Sequence, residues 1–396
     1  MEQQDVYFVD GVRSPFGKAG AKGAYANTRA DDLMANAVLG LLERHSGLDR
    51  AAIDDVSIAA TTQAGDQGVT LGRRVALLSG LPKSVPGYSI DRMCAGAMTA
   101  VTTTGSAIGI GAYDIAIAGG VEHMGRHPMA FDDDLNPKFL AEQIFSRDAL
   151  NMGCTAEELH DKFPHLTKER ADAYSVASQH KAAAAYEKGL IQPDLIPVSV
   201  SSADGERTVT RDEQLRPDSS LDGLRNLKSP FRNEGRVTAG NSSPLTDGAA
   251  VSLLAGERAL KEHGLKPKMR LVSFAFAGVE PDIMGTGPIP ATEKALKKAG
   301  LSISDIGAFE INEAFAIQVL SFLDHFGLED DDSRVNPWGG AIALGHPLAS
   351  SGVRLMNQLS RQFEQNPSVR YGITTMCIGL GMGGTVIWEN TGLLGN

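Results

Sequence analysis

Cysteine is scarce: only Cys94, Cys154 and Cys377 occur in 396 residues. Three thiols so widely spaced cannot build a disulfide framework or a zinc site, which predicts a reducing, cytoplasmic setting. No His, Asp, Glu or Cys cluster has metal-ligand spacing, so no metal is expected and a metal hydrolase is disfavoured. Long apolar runs are missing too. No uninterrupted stretch is long enough to cross a bilayer, and no N-terminal apolar segment carries basic flanks, so a soluble chain without a membrane span is expected. Positive charge is in deficit, with 37 Lys and Arg against 48 Asp and Glu and a net charge of −11. That balance argues against a nucleic-acid partner, whose phosphates would be repelled. An anionic ligand would have to meet a local basic patch.

What is present is a regular alternation. Asp5 to Asp10 reads as a strand, with a loop from Gly11 to Gly17. Asp31 is placed to cap a helix whose rows Leu33, Ala37, Leu41 and Met34, Val38, Leu42 form one apolar stripe. A strand at Val56 to Ala60, a helix opened by Thr70, a small-residue helix after Cys94 and a strand from Asp114 follow. This rhythm predicts a parallel or mixed sheet covered by helices. It breaks from Val121 to Ala239, where charged helices, notably Thr167 to Gly189, and proline-bearing loops suggest an inserted lid. That segment holds Arg207, Arg211, Arg216, Arg225, Lys228 and Arg232. Alternation resumes with strands at Ala249 to Leu254 and Met269 to Gly278, a helix at Pro290 to Ala299, and a helix beginning at Asn312. The first and last thirds share one order of elements, which is a structural repeat by pattern.

The chemistry-bearing residues lie in glycine-rich turns between these elements, where backbone approaches ligands closely. Cys94, in Arg92-Met93-Cys94-Ala95-Gly96, falls at a helix N-terminus, where unpaired N–H groups and the macrodipole favour a thiolate nucleophile. A cysteine nucleophile needs a base, and His346 in Gly345-His346-Pro347 is the best placed. Cys377 begins a second glycine-rich turn, Cys377-Ile378-Gly379-Leu380-Gly381.

Together these motifs resemble the thiolase family over nearly the whole chain. Asn312-Glu313-Ala314-Phe315, Ala239-Gly240-Asn241-Ser242-Ser243 and Asp247-Gly248-Ala249-Ala250 match further family motifs. Gly119 to Gly125 and Leu215-Arg216-Pro217-Asp218 look most like the bacterial fatty-acid β-oxidation members. The fold this implies is α/β: two similar mixed-sheet halves in a five-layer αβαβα sandwich with an inserted lid. The halves would be residues 1–120 plus 240–268 and residues 269–396, with the lid at 121–239 contacting CoA. The resemblance implies cleavage of 3-ketoacyl-CoA by CoA to acetyl-CoA and a shortened acyl-CoA. Cys94 would accept the acyl group and His346 act as base. Cys377 would act as acid and base, Asn312 would hold a water, and the N–H groups of Cys94 and Gly379 would hold an oxyanion. CoA would be lined by Met152, Arg216, Leu227, Phe231, Ala239, Ser243 and Phe315. CoA would be a co-substrate, with no cofactor. The resemblance implies a homodimer or homotetramer, and some β-oxidation members dock on a hydratase/dehydrogenase subunit. Departures at Ala97, Trp338 and Ala349 leave the acyl pocket's shape open. Two other readings share these residues: a biosynthetic acetoacetyl-CoA thiolase that condenses two acetyl-CoA, and a non-catalytic acyl-CoA-binding relative. A decarboxylating ketoacyl synthase fits less well, because Asn312 stands where a second histidine is usual.

Overall fold

The structure, a computed structural model, describes residues 3–129, 134–202 and 205–393. The apolar, β-branched runs that alternate with helices pair into one mixed sheet. Its first half contains β1 (Val6–Arg13), β2 (Gly17–Lys18), α1 (Ala30–Arg44), β3 (Asp55–Ala59), α2 (Leu71–Leu78), β4 (Tyr88–Ile90), α3 (Gly96–Gly109) and β5 (Ile115–His123). Between β5 and the strand that returns to the sheet lie α4 (Lys138–Ala141), α5 (Met152–Lys162), α6 (Lys168–Glu187), the hairpin β6 (Val198–Ser202) and β7 (Gly205–Val209), and α7 (Leu221–Arg225). The chain re-enters through β8 (Thr246–Gly256) and α8 (Glu257–His263). The second half has β9 (Met269–Gly278), α9 (Pro288–Ala299), β10 (Ile306–Ile311), α10 (Ala316–Phe326), α11 (Ala341–Leu344), α12 (Ser351–Gln365), β11 (Tyr371–Ile378) and β12 (Met382–Asn390).

Strand order is β10-β11-β12-β9-β1-β8-β5-β3-β4, with β2 beside β8. The repeat expected from element order is visible in the pairing. β1–β8 and β8–β5 are antiparallel and β5–β3 parallel; β9–β12 and β12–β11 are antiparallel and β11–β10 parallel. The two half-sheets pair where Tyr7 lies opposite Arg270 and Phe8 opposite Met269.

Three apolar clusters define the layers. Helices α1 and α2 cover one outer face, α9 and α10 the other, and α3 with α12 fills the space between the two half-sheets. The small residues of α3 let the central helices approach. A Cβ on Gly96 would sit 2.7 Å from Ala59 Cβ, and one on Gly352 2.6 Å from Met98 N. Threonine hydroxyls buried in α3 donate to carbonyls one turn back, Thr99 to Ala95 at 2.8 Å and Thr104 to Ala100 at 2.7 Å.

Several local expectations are corrected. β1 continues to Arg13, where a loop was expected from Gly11, because pairing with β8 extends to Arg13 opposite Ala250. β5 likewise continues through Val121–His123, and β8 begins at Thr246. Asp31 is not the cap of α1; it lies in the first turn and takes Arg29 and Arg74. Thr70 does not cap α2 with its side chain; Ser89 Oγ accepts the Leu71 N–H at 2.5 Å. Asn312 to Phe315 are not helical. Asn312 N donates to Thr375 O and Ala316 N to Asn241 O, both at 2.9 Å, so the segment stays extended and α10 starts at Ala316.

The segment between β5 and β8 leans over the second half yet is tied to the first. Arg13 donates to both carboxylate oxygens of buried Asp212, at 2.6 and 2.8 Å, and Asp212 also accepts from Phe16 N and Tyr186 Oη. A bidentate, fully partnered pair of this kind fixes geometry as well as adding attraction.

Candidate active site

Cys94 is presented by a sharp bend. Met93 adopts a left-handed conformation, φ 46°, which a non-glycine residue holds at a cost of about 1–2 kcal/mol, and its N–H donates to Asp91 at 2.6 Å. Cys94 follows in a short helical turn leading into α3. The N–H groups of Gly379 and of Cys94 itself point at the sulfur and favour its ionised form. Burial outweighs them and, helped by the charge of Glu122, pushes the thiol up to about 12. The thiolate expected from a helix N-terminus is thus corrected: burial shifts the balance at Cys94 toward the thiol. A helix start is worth at most ~2 kcal/mol, whereas burying an unpaired charge costs several.

His346 is placed by Gly345, whose φ of 103° and tight fit against Thr246 both demand glycine. Its backbone N–H donates to Thr246 Oγ1 at 3.1 Å. On the ring, Nδ1 lies 2.6 Å from Ser351 Oγ, which is itself 3.3 Å from the Pro347 carbonyl. With the serine proton on that carbonyl, Ser351 accepts Nδ1–H and leaves Nε2 its lone pair. Asn312 Nδ2 lies 3.3 Å from Nε2. Burial first, and the Arg354 charge second, push the imidazole down to about 3, so it is a neutral base.

Cys377 is the penultimate residue of β11, and the hairpin to β12 turns through Leu380 and Gly381, both with positive φ. Gly379 packs against Met93; a Cβ there would lie 2.6 Å from Met93 Cε. Burial, then the nearness of Cys94, whose ionised form would repel a second thiolate, raises the Cys377 thiol well above its ordinary value.

Cys94, His346 and Cys377, distant in sequence, line one cavity of about 760 Å³. Met152, Arg216, Leu227, Phe231, Ala239, Ser243 and Phe315 line it as well. Asn312 and Gly379 are not among the residues lining it; the Asn312 NH2 group adjoins His346 and the Gly379 N–H points at the Cys94 sulfur. Of the basic cluster only Arg216 lines the cavity. Arg232 pairs with Glu158 and Asp161, Arg225 with Asp222, Arg207 with Glu213, and Arg211 lies over Tyr186.

Other contributors were not singled out from the sequence. Met124, Met129, Met284 and Leu348 supply much of the apolar wall, and isolated methionines carry no periodic signal. Glu313, buried inside Asn312-Glu313-Ala314-Phe315, is a hub. It accepts from Tyr174 at 3.0 Å, Ser178 at 2.6 Å, Asn336 at 2.9 Å and Ile342 N at 3.2 Å, fastening α6 and the glycine-rich loop beside Asn312.

A thiol, a neutral imidazole, a second thiol and convergent N–H donors at an apolar cavity suit acyl transfer through a thioester. Residues 6–258 match the family model "Thiolase, N-terminal domain" and 265–390 match "Thiolase, C-terminal domain". A 3-oxoadipyl-CoA/3-oxo-5,6-dehydrosuberyl-CoA thiolase of Escherichia coli is 41% identical, over 98% of this chain and 99% of that protein. A 3-ketoacyl-CoA thiolase of Escherichia fergusonii is 42% identical, over 98% and 100%. The crystal structure of human mitochondrial 3-ketoacyl-CoA thiolase superposes with a TM-score of 0.88 at 33% identity, covering 98% of this chain and 99% of that one.

Proposed function

The chain belongs to the thiolase family of CoA-dependent acyltransferases, and on that premise we propose that it cleaves 3-ketoacyl-CoA with a hydrocarbon tail, in the degradative direction. His346 Nε2 takes the Cys94 proton as the sulfur attacks the 3-keto carbon. The alkoxide is met by protonated His346 and a water held by Asn312, donors worth roughly 3–4 kcal/mol each. Cleavage of the C2–C3 bond leaves the acyl group on Cys94 and an acetyl-CoA enolate, whose thioester carbonyl accepts the electron pair. The Cys377 thiol protonates that carbanion at C2. As a thiolate it then takes the proton of incoming CoA, which attacks the acyl-cysteine. The second oxyanion falls to the N–H groups of Cys94 and Gly379. Cys94 leaves as a thiolate and recovers its proton from His346, so the protein returns unchanged.

The observation carrying this reading is the meeting of Cys94, His346 and Cys377 at one cavity. The described wall supports the hydrocarbon tail: Arg216 is its one cation, and Met124, Met129, Met152, Met284 and Leu348 line the same cavity as the reactive groups. We assign Arg216 to the phosphates of CoA, which leaves a terminal carboxylate on the acyl chain without a partner at a cost of about 2–3 kcal/mol or more. Thiolysis of 3-ketooctanoyl-CoA, acetoacetyl-CoA and 3-oxoadipyl-CoA tests this. The hydrocarbon C8 substrate is expected to lead in kcat/KM, by about 100-fold over the dicarboxylate. Preference for 3-oxoadipyl-CoA refutes the tail assignment, and activity confined to acetoacetyl-CoA favours the condensing role.

A further inference from the structure

We propose that Arg354 is a positioning residue for acyl transfer: its buried guanidinium locks the Asn312 carboxamide with the NH2 group turned toward His346. The inference rests on the proposed roles of Asn312 and His346. Arg354 lies within α12, in the central layer, and is fully buried. An arginine there is costly unless its donors are used. Nη2 donates to Asn312 Oδ1 at 3.1 Å, Nη1 donates to Gln358 Oε1 at 2.5 Å and approaches Glu310 Oε2 at 3.4 Å, and Nε has no partner among the described residues.

A plain core ion pair would place the guanidinium closest to Glu310. Here the carboxylate contact is the longest of the three, and the other short contacts go to amide oxygens. Burial pushes the Glu310 carboxyl up to about 8, against the pull of Arg354, and Gln362 donates to its other oxygen. Two of the guanidinium's three acceptors thus come from β10 and its exit, Glu310 within the strand and Asn312 just beyond its end, and the third, Gln358, from α12 itself.

The consequence for Asn312 follows from donor and acceptor counts. A guanidinium has donors only, so the carboxamide oxygen must face it. The NH2 group must then face His346, from whose Nε2 it lies 3.3 Å. Flipping the amide would set two donors against each other and strip the oxygen of its bond. Asn312 is fully buried, so bulk solvent does not compete for its carboxamide. Its backbone is held independently, by the Thr375 carbonyl at 2.9 Å. Arg354 therefore governs the side-chain torsion rather than the position of the strand end. The guanidinium also stands near enough to His346 to help keep the imidazole unprotonated.

The test is a double-mutant cycle on 3-ketooctanoyl-CoA thiolysis with Arg354→Met, Asn312→Ala and the pair. Loss of the Asn312 donor is expected to lower kcat by about 10²–10³-fold, and misorientation in Arg354→Met by about 10²-fold. Because Arg354 acts through Asn312, the pair should fall within about 3-fold of Asn312→Ala, with the KM for CoA changed by less than about 2-fold. Multiplying losses, a kcat of Arg354→Met within 2-fold of the parent, or a loss expressed in KM overturns the proposal. If Arg354→Met does not fold, Arg354→Lys serves in the same cycle, since it keeps the charge beside Glu310 but not the fork to Asn312. If the unmodified protein shows no thiolysis, the functional reading fails by itself, and the crystal structure of Arg354→Lys decides the present point. A rotated Asn312 carboxamide upholds it, and an unmoved one overturns it.

Discussion

Cys94 in the free protein should alkylate slowly near neutrality, with a rate that keeps climbing as pH rises. An ordinary thiol, pKa ~8.5, is about one quarter ionised at pH 8. With the Cys94 thiol pushed up to about 12 by burial, about one molecule in 10⁴ carries the thiolate at that pH. Iodoacetamide should therefore modify Cys94 about 10³-fold more slowly than a free thiol at pH 8. The rate should rise about tenfold per pH unit between 7 and 10, because only the thiolate reacts. His346, pushed down to about 3, adds no inflection in that window. The assay follows the Cys94 peptide by mass spectrometry, separately from half-buried Cys154 and buried Cys377. Restricted access lowers the rate at every pH alike, so the slope is the decisive quantity. A plateau with a midpoint between pH 6 and 8 would refute the reasoning and restore a preformed thiolate.

Three further outcomes are expected. Cys377→Ala should still take an acyl group onto Cys94 but lose exchange of the acetyl-CoA methyl protons with solvent by at least ~100-fold; unchanged exchange counts against the acid/base role. Arg216→Ala should raise the KM for CoA about five- to tenfold with kcat nearly unchanged, as for loss of uniform binding; an unaltered KM moves the CoA phosphates elsewhere. Asp247 lies 3.3 Å from His123 Nδ1, and burial raises its carboxyl to about 7. A raised carboxyl stabilises fully below the unfolded value near 4, and that contribution is lost as pH rises through 7. The unmodified protein should lose up to ~4 kcal/mol on this account between pH 4 and 8. Asp247→Asn should flatten that limb of a melting-temperature profile, and parallel profiles would contradict the assignment.

The sequence showed most where local chemistry dictates structure. The glycines at 345, 379 and 381 announced turns because their backbone geometry or packing excludes a side chain. Alternation of apolar strands and helices foretold a helix-covered sheet and the repeat, since each buried face needs a partner, whereas the five layers came from the family resemblance. The grouping of Cys94, His346 and Cys377 came from family resemblance, because no spacing rule joins residues that far apart in the chain. Long-range pairing escaped the local reading: the N–H groups of Asn312 and Ala316 are captured by Thr375 and Asn241, which suppressed a helix that the residues themselves favour. The ionisation of Cys94 was misjudged for a related reason. Helix polarity is written in neighbouring residues, but depth of burial is set by distant elements that pack on the Cys94 turn, α12 and β11 among them. Arg354, Gln358 and Glu310 also read as ordinary polar positions until the fold brings them behind Asn312.

The account turns on covalent catalysis at Cys94. The most direct measurement mixes the protein with 3-ketooctanoyl-CoA in the absence of free CoA, quenches in acid and locates the acyl group by peptide mass spectrometry. A hexanoyl group on the Cys94 peptide, appearing with stoichiometric acetyl-CoA and discharged by added CoA, is the predicted result. An acyl group on another residue, or undiminished thiolysis by Cys94→Ser, contradicts the account.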